Sequence, residues 1–252
     1  PKDEASVGFS TFFRELLGTN LGRLILYLFS VSFVVNLAGP FFAPYMLRDL
    51  RLDYLTFTIL EVFTILGAMF TVTHWGAAAD RAGNRKILAI SGVLISFVPL
   101  LWILSTNLVY LGFVQFYSGV AWVGFNLVSA NFIYDATSPR NRTAYLAYFG
   151  AGAGIATFLG ALVGGLLISH VPNLQGSPIL TMFLLSGFLR LLTTVGFLPG
   201  IREVRTVRLT KAAELFHIML GGRTVHRPAA HGRFHFRHHL HGHIEPEHEA
   251  GK

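Results

Sequence analysis

Charge is scarce in this sequence and cysteine is absent. None of the 252 residues is Cys, and only 13% are Asp, Glu, Lys or Arg, about half of the roughly 25% typical of soluble domains. Without cysteine, the chain has no disulfides, thiol nucleophiles or Cys-ligated zinc. The shortage of charge, together with a 52% hydrophobic content that includes 23 Phe, indicates a chain that buries most of its length in an apolar medium.

The apolar residues lie in long runs of membrane-spanning length. A transmembrane helix needs about 20 mostly apolar residues, with a range of roughly 17–25. Six segments meet this requirement: Leu24–Met46, Leu55–Trp75, Ile87–Ser105, Leu108–Ile133, Tyr145–Ile168 and Ile179–Leu198. We therefore predict an all-α, polytopic protein whose partner is the lipid bilayer. A lead occupies residues 1–20, a six-helix transmembrane bundle residues 21–198, and a basic, His-rich tail residues 199–252.

The basic residues predict the orientation of the bundle. Three Lys or Arg precede the first span, three follow the second, two follow the fourth and nine follow the sixth, whereas only Arg48 and Arg51 occupy the alternate gaps. Because Lys and Arg concentrate in cytoplasmic loops, we predict a plasma-membrane protein with both termini cytoplasmic. This distribution accounts for the net charge of +7 without a nucleic-acid partner.

A short charged turn separates spans two and three. Its glycines permit backbone angles that other residues avoid, and its chemistry alone fits either an ordinary cytoplasmic turn or a functional one. The turn reads Gly76-x-x-x-Asp80-Arg81-x-Gly83-x-Arg85-Lys86. This order resembles the G-x-x-x-D-R-x-G-R-R/K signature of the major facilitator superfamily, with Asn84 at a position where a basic residue is frequent. The resemblance implies that these residues latch a transporter in one of its alternating conformations.

Three further segments carry the same resemblance. Asn36–Leu50 is similar to the first helix of a C-terminal half in bacterial members, 118–145 to the fourth helix, and 184–205 to a final helix with a basic tail. The resemblance covers about residues 20–205. It implies one six-helix half, built as a 3+3 inverted repeat, of a secondary transporter for a small solute. It also implies a missing N-terminal half as partner, and places the first and fourth helices at the cavity and the third and sixth outside as support.

Polar residues follow one face of the fourth span. Gln115, Ser118, Trp122, Asn126 and Ser129 are spaced 3, 4, 4 and 3 residues apart, which puts them on a single helix face. Polar groups inside a bilayer either face a water-filled cavity or hydrogen-bond between helices. We predict a substrate pathway, in which the first span takes part through the face shared by Ser32, Asn36 and Pro40. The pathway residues are Asn36, Gln115, Ser118, Trp122 and Asn126.

Two charged residues lie within spans. Glu61 is the acid placed well inside a span, where a central charge costs roughly 2.5–3.5 kcal/mol on insertion scales and tends to be functional. It either exchanges a proton during transport or sits in water near the outer surface, paired with Arg48 or Arg51. Arg190 lies in the sixth span, where we expect it to pair internally or to extend towards the membrane surface rather than to contact the solute directly.

Two further sequence patterns, a pair of glycines and a run of histidines, do not by themselves indicate a function. Gly160-x-x-x-Gly164 in the fifth span predicts a small-residue face for close helix packing. The eight histidines beyond Gly222 resemble a metal-binding tract, but no acidic or Cys partners accompany them in a fixed frame. We predict a disordered tail without a metal site.

Three other classes of membrane protein are alternatives to a transporter half. A six-span metal-cation exporter needs intramembrane Asp and His pairs, whereas His74 lies at a membrane edge. An intramembrane protease needs a Ser nucleophile in a Gly-x-Ser-Gly turn and a late His, and the sixth span has none. A non-transporting membrane scaffold also fits the composition. We predict no catalytic residue and no cofactor.

Cysteine labelling tests the predicted topology, since the chain offers a cysteine-free background. Single cysteines introduced after Leu50 and after Arg85 should react with a membrane-impermeant thiol reagent from opposite sides. Equal labelling of both positions from outside would exclude the six-span arrangement.

Overall fold

Six long helices make up the part of the chain that the structure describes. The structure, a computed structural model, describes residues 18–204. The helices are α1 (Asn20–Ala38), α2 (Tyr54–Ala82), α3 (Asn84–Leu101), α4 (Leu108–Ala136), α5 (Arg142–Leu167) and α6 (Pro178–Phe197). Short 3-10, α and π turns extend α1 to Asp49. All six are long and apolar enough to cross a membrane, which confirms the predicted all-α, six-span fold.

The helices pack in a symmetric order. Their closest neighbours follow the sequence α5, α1, α6, α3, α4, α2 across the bundle. If α1 is exchanged with α4, α2 with α5 and α3 with α6, the same order results, read in the opposite direction. Every pair of neighbouring helices is therefore matched by an equivalent pair. Such an equivalence is the signature of an internal repeat of three helices.

The four helices in the middle of this order are more buried than the two at its ends, α5 and α2. Apolar windows of α2 and α5 are 11% and 6% buried, whereas those of the other four helices are 44–50% buried. The expectation that the third and sixth helices stand outside the cavity as support stays a prediction. α3 and α6 pack against each other between α1 and α4. Large apolar side chains are exposed on α2 and α5, such as Phe70 and Phe158, and also on one face of α6, such as Phe188 and Val195.

Glycines let α2 and α4 cross in close contact. A Cβ atom on Gly67 would overlap the carbonyl oxygen of Phe116, and one on Gly119 would overlap that of Thr64. The backbones of the two helices therefore touch where side chains would otherwise hold them apart. Small residues at such crossings are a general route to helix association in membranes.

The predicted Gly160-x-x-x-Gly164 face packs α5 against α1. A Cβ atom on Gly160 would overlap the carbonyl oxygen of Phe33, and one on Gly164 would overlap that of Leu37, one turn further on. This contact confirms the predicted packing role. It is also the repeat equivalent of the crossing between α2 and α4.

Side-chain oxygens cap the starts of four helices. Thr19, Asp53, Asn107 and Ser177 accept hydrogen bonds from amides in the first turns of α1, α2, α4 and α6. These caps satisfy amides that the helices leave without a partner. At the start of α2, hydrogen bonds from the hydroxyl and the amide of Thr56 lower the pKa of the Asp53 carboxyl.

A matched pair of substitutions on α5 tests the glycine contact. Gly160→Ala should lower stability by about 1–3 kcal/mol, the range for overpacking, because its methyl group overlaps the backbone of α1. Gly165→Ala serves as the control, since a Cβ atom there meets nothing within 4 Å. Thermal unfolding of the purified protein in detergent should show a lower midpoint for the first variant alone, and equal midpoints would contradict the crossing.

Candidate functional site

A cavity of about 300 Å³ lies between α1, α4 and the first turns of α5. Its walls are mostly apolar. The polar and tryptophan side chains that line it are Ser32, Asn36, Trp122, Asn126 and Ser129. The Asn36 amide nitrogen donates to the Ser32 carbonyl oxygen at 2.8 Å and to the Thr157 hydroxyl of α5 at 3.3 Å.

A second cavity of about 260 Å³ lies further along the same two helices. It shares Val35 and Trp122 with the first cavity, so the two spaces follow one another along the wall formed by α1 and α4. Five of its lining side chains are polar or charged and come from α2, α4 and α6, namely Glu61, Thr64, Gln115, Ser118 and Arg190.

The two cavities bring together the residues predicted as a substrate pathway. Asn36 and Asn126 line the first cavity, Gln115 and Ser118 line the second, and Trp122 lines both. Their role in binding stays a prediction. Pro40, which shares a helix face with Asn36 in the sequence, is exposed and lines neither cavity.

Glu61 of α2 is bound to α4. The Gln115 amide nitrogen donates to a Glu61 carboxylate oxygen at 2.9 Å, although 54 residues separate the two positions. The predicted alternative, an ion pair with Arg48 or Arg51, does not form within the described bundle. The Glu61 side chain instead points along the contact between α2 and α4, where it lines the second cavity.

Arg190 is buried at the centre of the bundle. Its side chain is 2% exposed. Its Nε donates to the Ser186 hydroxyl at 3.1 Å, its Nη1 to the Ile95 carbonyl oxygen at 3.0 Å and its Nη2 to the Val35 carbonyl oxygen at 3.4 Å. The guanidinium thereby ties α6 to α3 and α1. These bonds agree with the internal pairing predicted for Arg190, and the peripheral position expected for the sixth helix stays a prediction.

The charged turn changes the direction of the chain at Gly83. This residue has φ 90°, in the left-handed region that favours glycine, and it precedes the first turn of α3. Next to it, Asn84 is buried and its amide nitrogen donates to an Asp135 carboxylate oxygen at 2.7 Å. Asn84, which stands where the family signature often has a basic residue, thus joins the start of α3 to the end of α4.

Arg85 of this turn holds the chain that follows α6. We call residues 198–204 the post-helix segment. The Arg85 amide donates to a Glu203 carboxylate oxygen at 2.7 Å, its Nε to the Ile201 carbonyl oxygen at 2.6 Å and its Nη2 to the Leu198 carbonyl oxygen at 3.3 Å. Glu203 therefore caps the first turn of α3 from a distant part of the chain, where negative charge is favoured by the helix dipole.

The start of α1 binds the post-helix segment from the other side. The Asn20 side chain donates to the Arg202 carbonyl oxygen at 2.8 Å and accepts from the Arg202 amide at 2.7 Å. Arg23 donates to the Gly200 carbonyl oxygen at 3.0 Å. Residues 199–204, predicted as part of the tail, thus belong to the bundle. The predicted lead up to residue 17, the rest of the tail and its histidines lie outside the described residues.

Sequence reasoning missed several residues of these sites. Trp102 and Thr64 line the second cavity, and Glu203 and Asp135 anchor the charged turn. Glu203 carried a usable signal, because it is the first acid after the last apolar run. Nothing in the local sequence marks Thr64 or Trp102, since their placement depends on how the helices pack.

Comparisons with known proteins agree with this architecture. The family model described as Major Facilitator Superfamily matches residues 24–239. Similar proteins include an MFS-type transporter of Aspergillus terreus, 32% identical over 124 residues, the tetracycline resistance protein, class B, of Escherichia coli, 27% identical over 158, and the multidrug resistance protein MdtG of Serratia proteamaculans, 28% identical over 138. These matches cover 49%, 60% and 52% of the chain but only 22%, 35% and 32% of the relatives.

Two charge-matched substitutions test the anchoring of the post-helix segment. Arg85→Gln removes its side-chain hydrogen bonds to the carbonyl oxygens of Leu198 and Ile201, and should lower stability by about 1–3 kcal/mol. Lys86→Gln removes the same charge from the same turn and should change stability little. Thermal unfolding and proteolysis at the end of α6 measure the effect. Equal behaviour of the two variants would contradict a specific anchoring role for Arg85.

Proposed function

Because the chain belongs to the Major Facilitator Superfamily, we propose that it forms one six-helix half of a secondary transporter that moves a small solute by alternating access. Such transporters rock one helix bundle against another around a site near the middle of the membrane. The observation that carries the proposal is the wall of α1 and α4, along which two cavities bring together the polar face of α4 and the polar face of α1.

The proposed partner is a second six-helix half. The exposed apolar faces of α2 and α5 suit contact with other helices and with lipid, and the chain spans about a third or less of each named relative's length. In this proposal both termini are cytoplasmic and the protein lies in the plasma membrane. Six further spans in the polypeptide that contains this chain would support the pairing, and their absence would contradict it.

The charged turn acts as the latch in this proposal. Arg85 contacts the post-helix segment and Asn84 contacts the end of α4, so the turn joins three helix ends on one side of the bundle. We expect Gly76, Asp80, Arg81, Gly83, Arg85 and Lys86 to stabilise one conformation of the transporter. A turn that binds several helix ends is suited to this role, because a rocking motion changes the distances between helix ends.

The proposed solute is a small amphiphilic molecule. The first cavity is lined by Trp122, Phe125 and Phe149 together with a few amide and hydroxyl groups, a mixture typical of sites for drug-like ligands. Two relatives are named for tetracycline resistance and multidrug resistance. Export of amphiphilic compounds is therefore the function that the cavity supports best.

Glu61 is the proposed proton-coupling residue. It lines the second cavity, and Gln115 of α4 binds its carboxylate. Proton uptake by this group would weaken or reverse the bond and so affect the contact between α2 and α4. A titratable acid that bridges a cavity-lining helix and its neighbour can link protonation to helix movement.

A transport assay tests both parts of the proposal. Everted vesicles that contain the complete protein should accumulate tetracycline or ethidium when a pH gradient is applied. Glu61→Gln should abolish this accumulation but leave solute exchange without a gradient largely intact, because Gln can still accept the hydrogen bond from Gln115 and cannot titrate. The measurements are gradient-driven uptake and counterflow exchange in the same vesicles.

Asp53→Asn is the matched control. It removes a carboxylate from the start of the same helix, where Asn also caps well, and should leave accumulation unchanged. Full accumulation by the Glu61→Gln protein would contradict proton coupling through this residue. No uptake and no exchange by the unmodified protein with either compound would contradict the proposed export of amphiphilic compounds.

A further inference from the structure

The second cavity contains a buried cation whose described partners are all neutral. Arg190 donates to one hydroxyl and two carbonyl oxygens. The one acidic residue that lines the same cavity, Glu61, is hydrogen-bonded to Gln115 instead. Among residues 18–204, Arg190 therefore has no anionic partner. A buried charge is unfavourable unless it is paired and hydrogen-bonded.

The hydrogen bonds within the fold use only some of the N–H groups of Arg190. A guanidinium carries five N–H groups, and three hydrogen bonds to protein oxygens leave two of them. Neutral oxygens also do not require a positive charge, so the structural role of Arg190 explains its bonds without explaining its charge.

Two more polar groups of this cavity lack a partner. Within the described bundle, the Trp102 indole nitrogen and the Thr64 hydroxyl are buried without a hydrogen bond, and both residues line the second cavity together with Arg190. An indole N–H donates only, and a hydroxyl can donate. Because each buried and unsatisfied polar group costs about 1–3 kcal/mol, their gathering in one cavity indicates a ligand that supplies acceptor oxygens.

We propose that Arg190 binds an oxyanion of the transported solute, a carboxylate attached to an aromatic body. A carboxylate accepts two parallel hydrogen bonds from the planar guanidinium. Its oxygens can also accept from Trp102 and Thr64. The aromatic part would lie against the rings of Trp102, Trp122 and Phe42, which line the cavity. This assignment rests on the proposed transport function, for which it names the class of solute.

The size of the cavity favours a compact ligand. Its volume of about 260 Å³ is just below the roughly 300–1,000 Å³ of sites for drug-sized molecules. A single aromatic ring with a carboxylate fits this range better than a large amphiphile. A larger solute would reach through the space beside Val35 and Trp122 into the first cavity, with its anionic group at Arg190.

Paired probes test the oxyanion site through the cavity's own fluorophores. Benzoate and phenylacetate are compared with benzamide and phenylacetamide, which match them in shape but carry no charge. Titration of the purified complete protein in lipid nanodiscs should change tryptophan fluorescence, because Trp102 and Trp122 line the cavity. We expect each carboxylate to bind about tenfold or more tightly than its amide, the size expected for charge-assisted hydrogen bonds.

Variants assign this preference to Arg190. Arg190→Gln should reduce carboxylate affinity to that of the amides, whereas Arg190→Lys should keep part of the preference, since it keeps the charge and loses the fork. Arg48→Gln removes an exposed charge of the same kind and should bind like the unmodified protein. Thermal midpoints show which variants are folded.

Tryptophan variants keep the test decisive if Arg190→Gln does not fold. Trp102→Phe should reduce the carboxylate signal, because it removes one of the two tryptophans that line the second cavity, whereas Trp75→Phe should keep the full signal. Equal affinities for carboxylates and amides in the unmodified protein, or a full signal in Trp102→Phe, would overturn the proposal. Selective binding without transport would leave the oxyanion site standing and contradict the proposed function alone.

Discussion

The hydrocarbon interior of a membrane offers no hydrogen-bond partner, and this constraint governs the whole bundle. Backbone groups are satisfied within helices, and several hydroxyls follow the same rule by donating to the carbonyl oxygen four residues earlier. Ser30, Ser91, Ser96 and Ser129 all do so. Buried polar atoms without a hydrogen-bond partner are therefore exceptions to this rule. Those of Thr64 and Trp102 lie in the same cavity as the buried charge of Arg190.

Helix packing explains why the cavities lie along α1 and α4. The outer pairs, α1 with α5 and α2 with α4, approach to backbone contact at their glycines. α3 and α6 join the two pairs in the middle. Between α1 and α4 themselves, bulky side chains such as Trp122 and Phe125 line the first cavity. Close contact on one side of each helix thus coexists with a cavity on the other.

Periodicity and charge predicted a large part of this arrangement. The six spans, the small-residue face at Gly160 and Gly164, and the shared face of Gln115, Ser118 and Trp122 all follow from local spacing, because a helix fixes which residues lie side by side. Contacts between helices depend on how each one is rotated in the bundle, and local spacing does not encode that rotation.

The hydrogen-bond partners of three residues could therefore not be predicted from the sequence. Glu61 meets Gln115 across 54 residues, Arg85 meets Glu203 across 118, and Arg190 meets Ile95 across 95. In each case the residue was recognisable as unusual from its charge or its motif. Its partner became identifiable only when α2, α3, α4 and α6 were placed together.

The post-helix segment has a practical consequence for anyone who modifies this protein. Because Arg85, Asn20 and Arg23 bind residues 198–203, the last apolar residue of α6 is a poor place to join a fluorescent protein or an affinity tag. A junction at Phe197 would delete the carboxylate that caps α3 and release the charged turn. Engineered fusions should begin after Val204, so that the reporter reads out the bundle without altering the turn it is meant to observe.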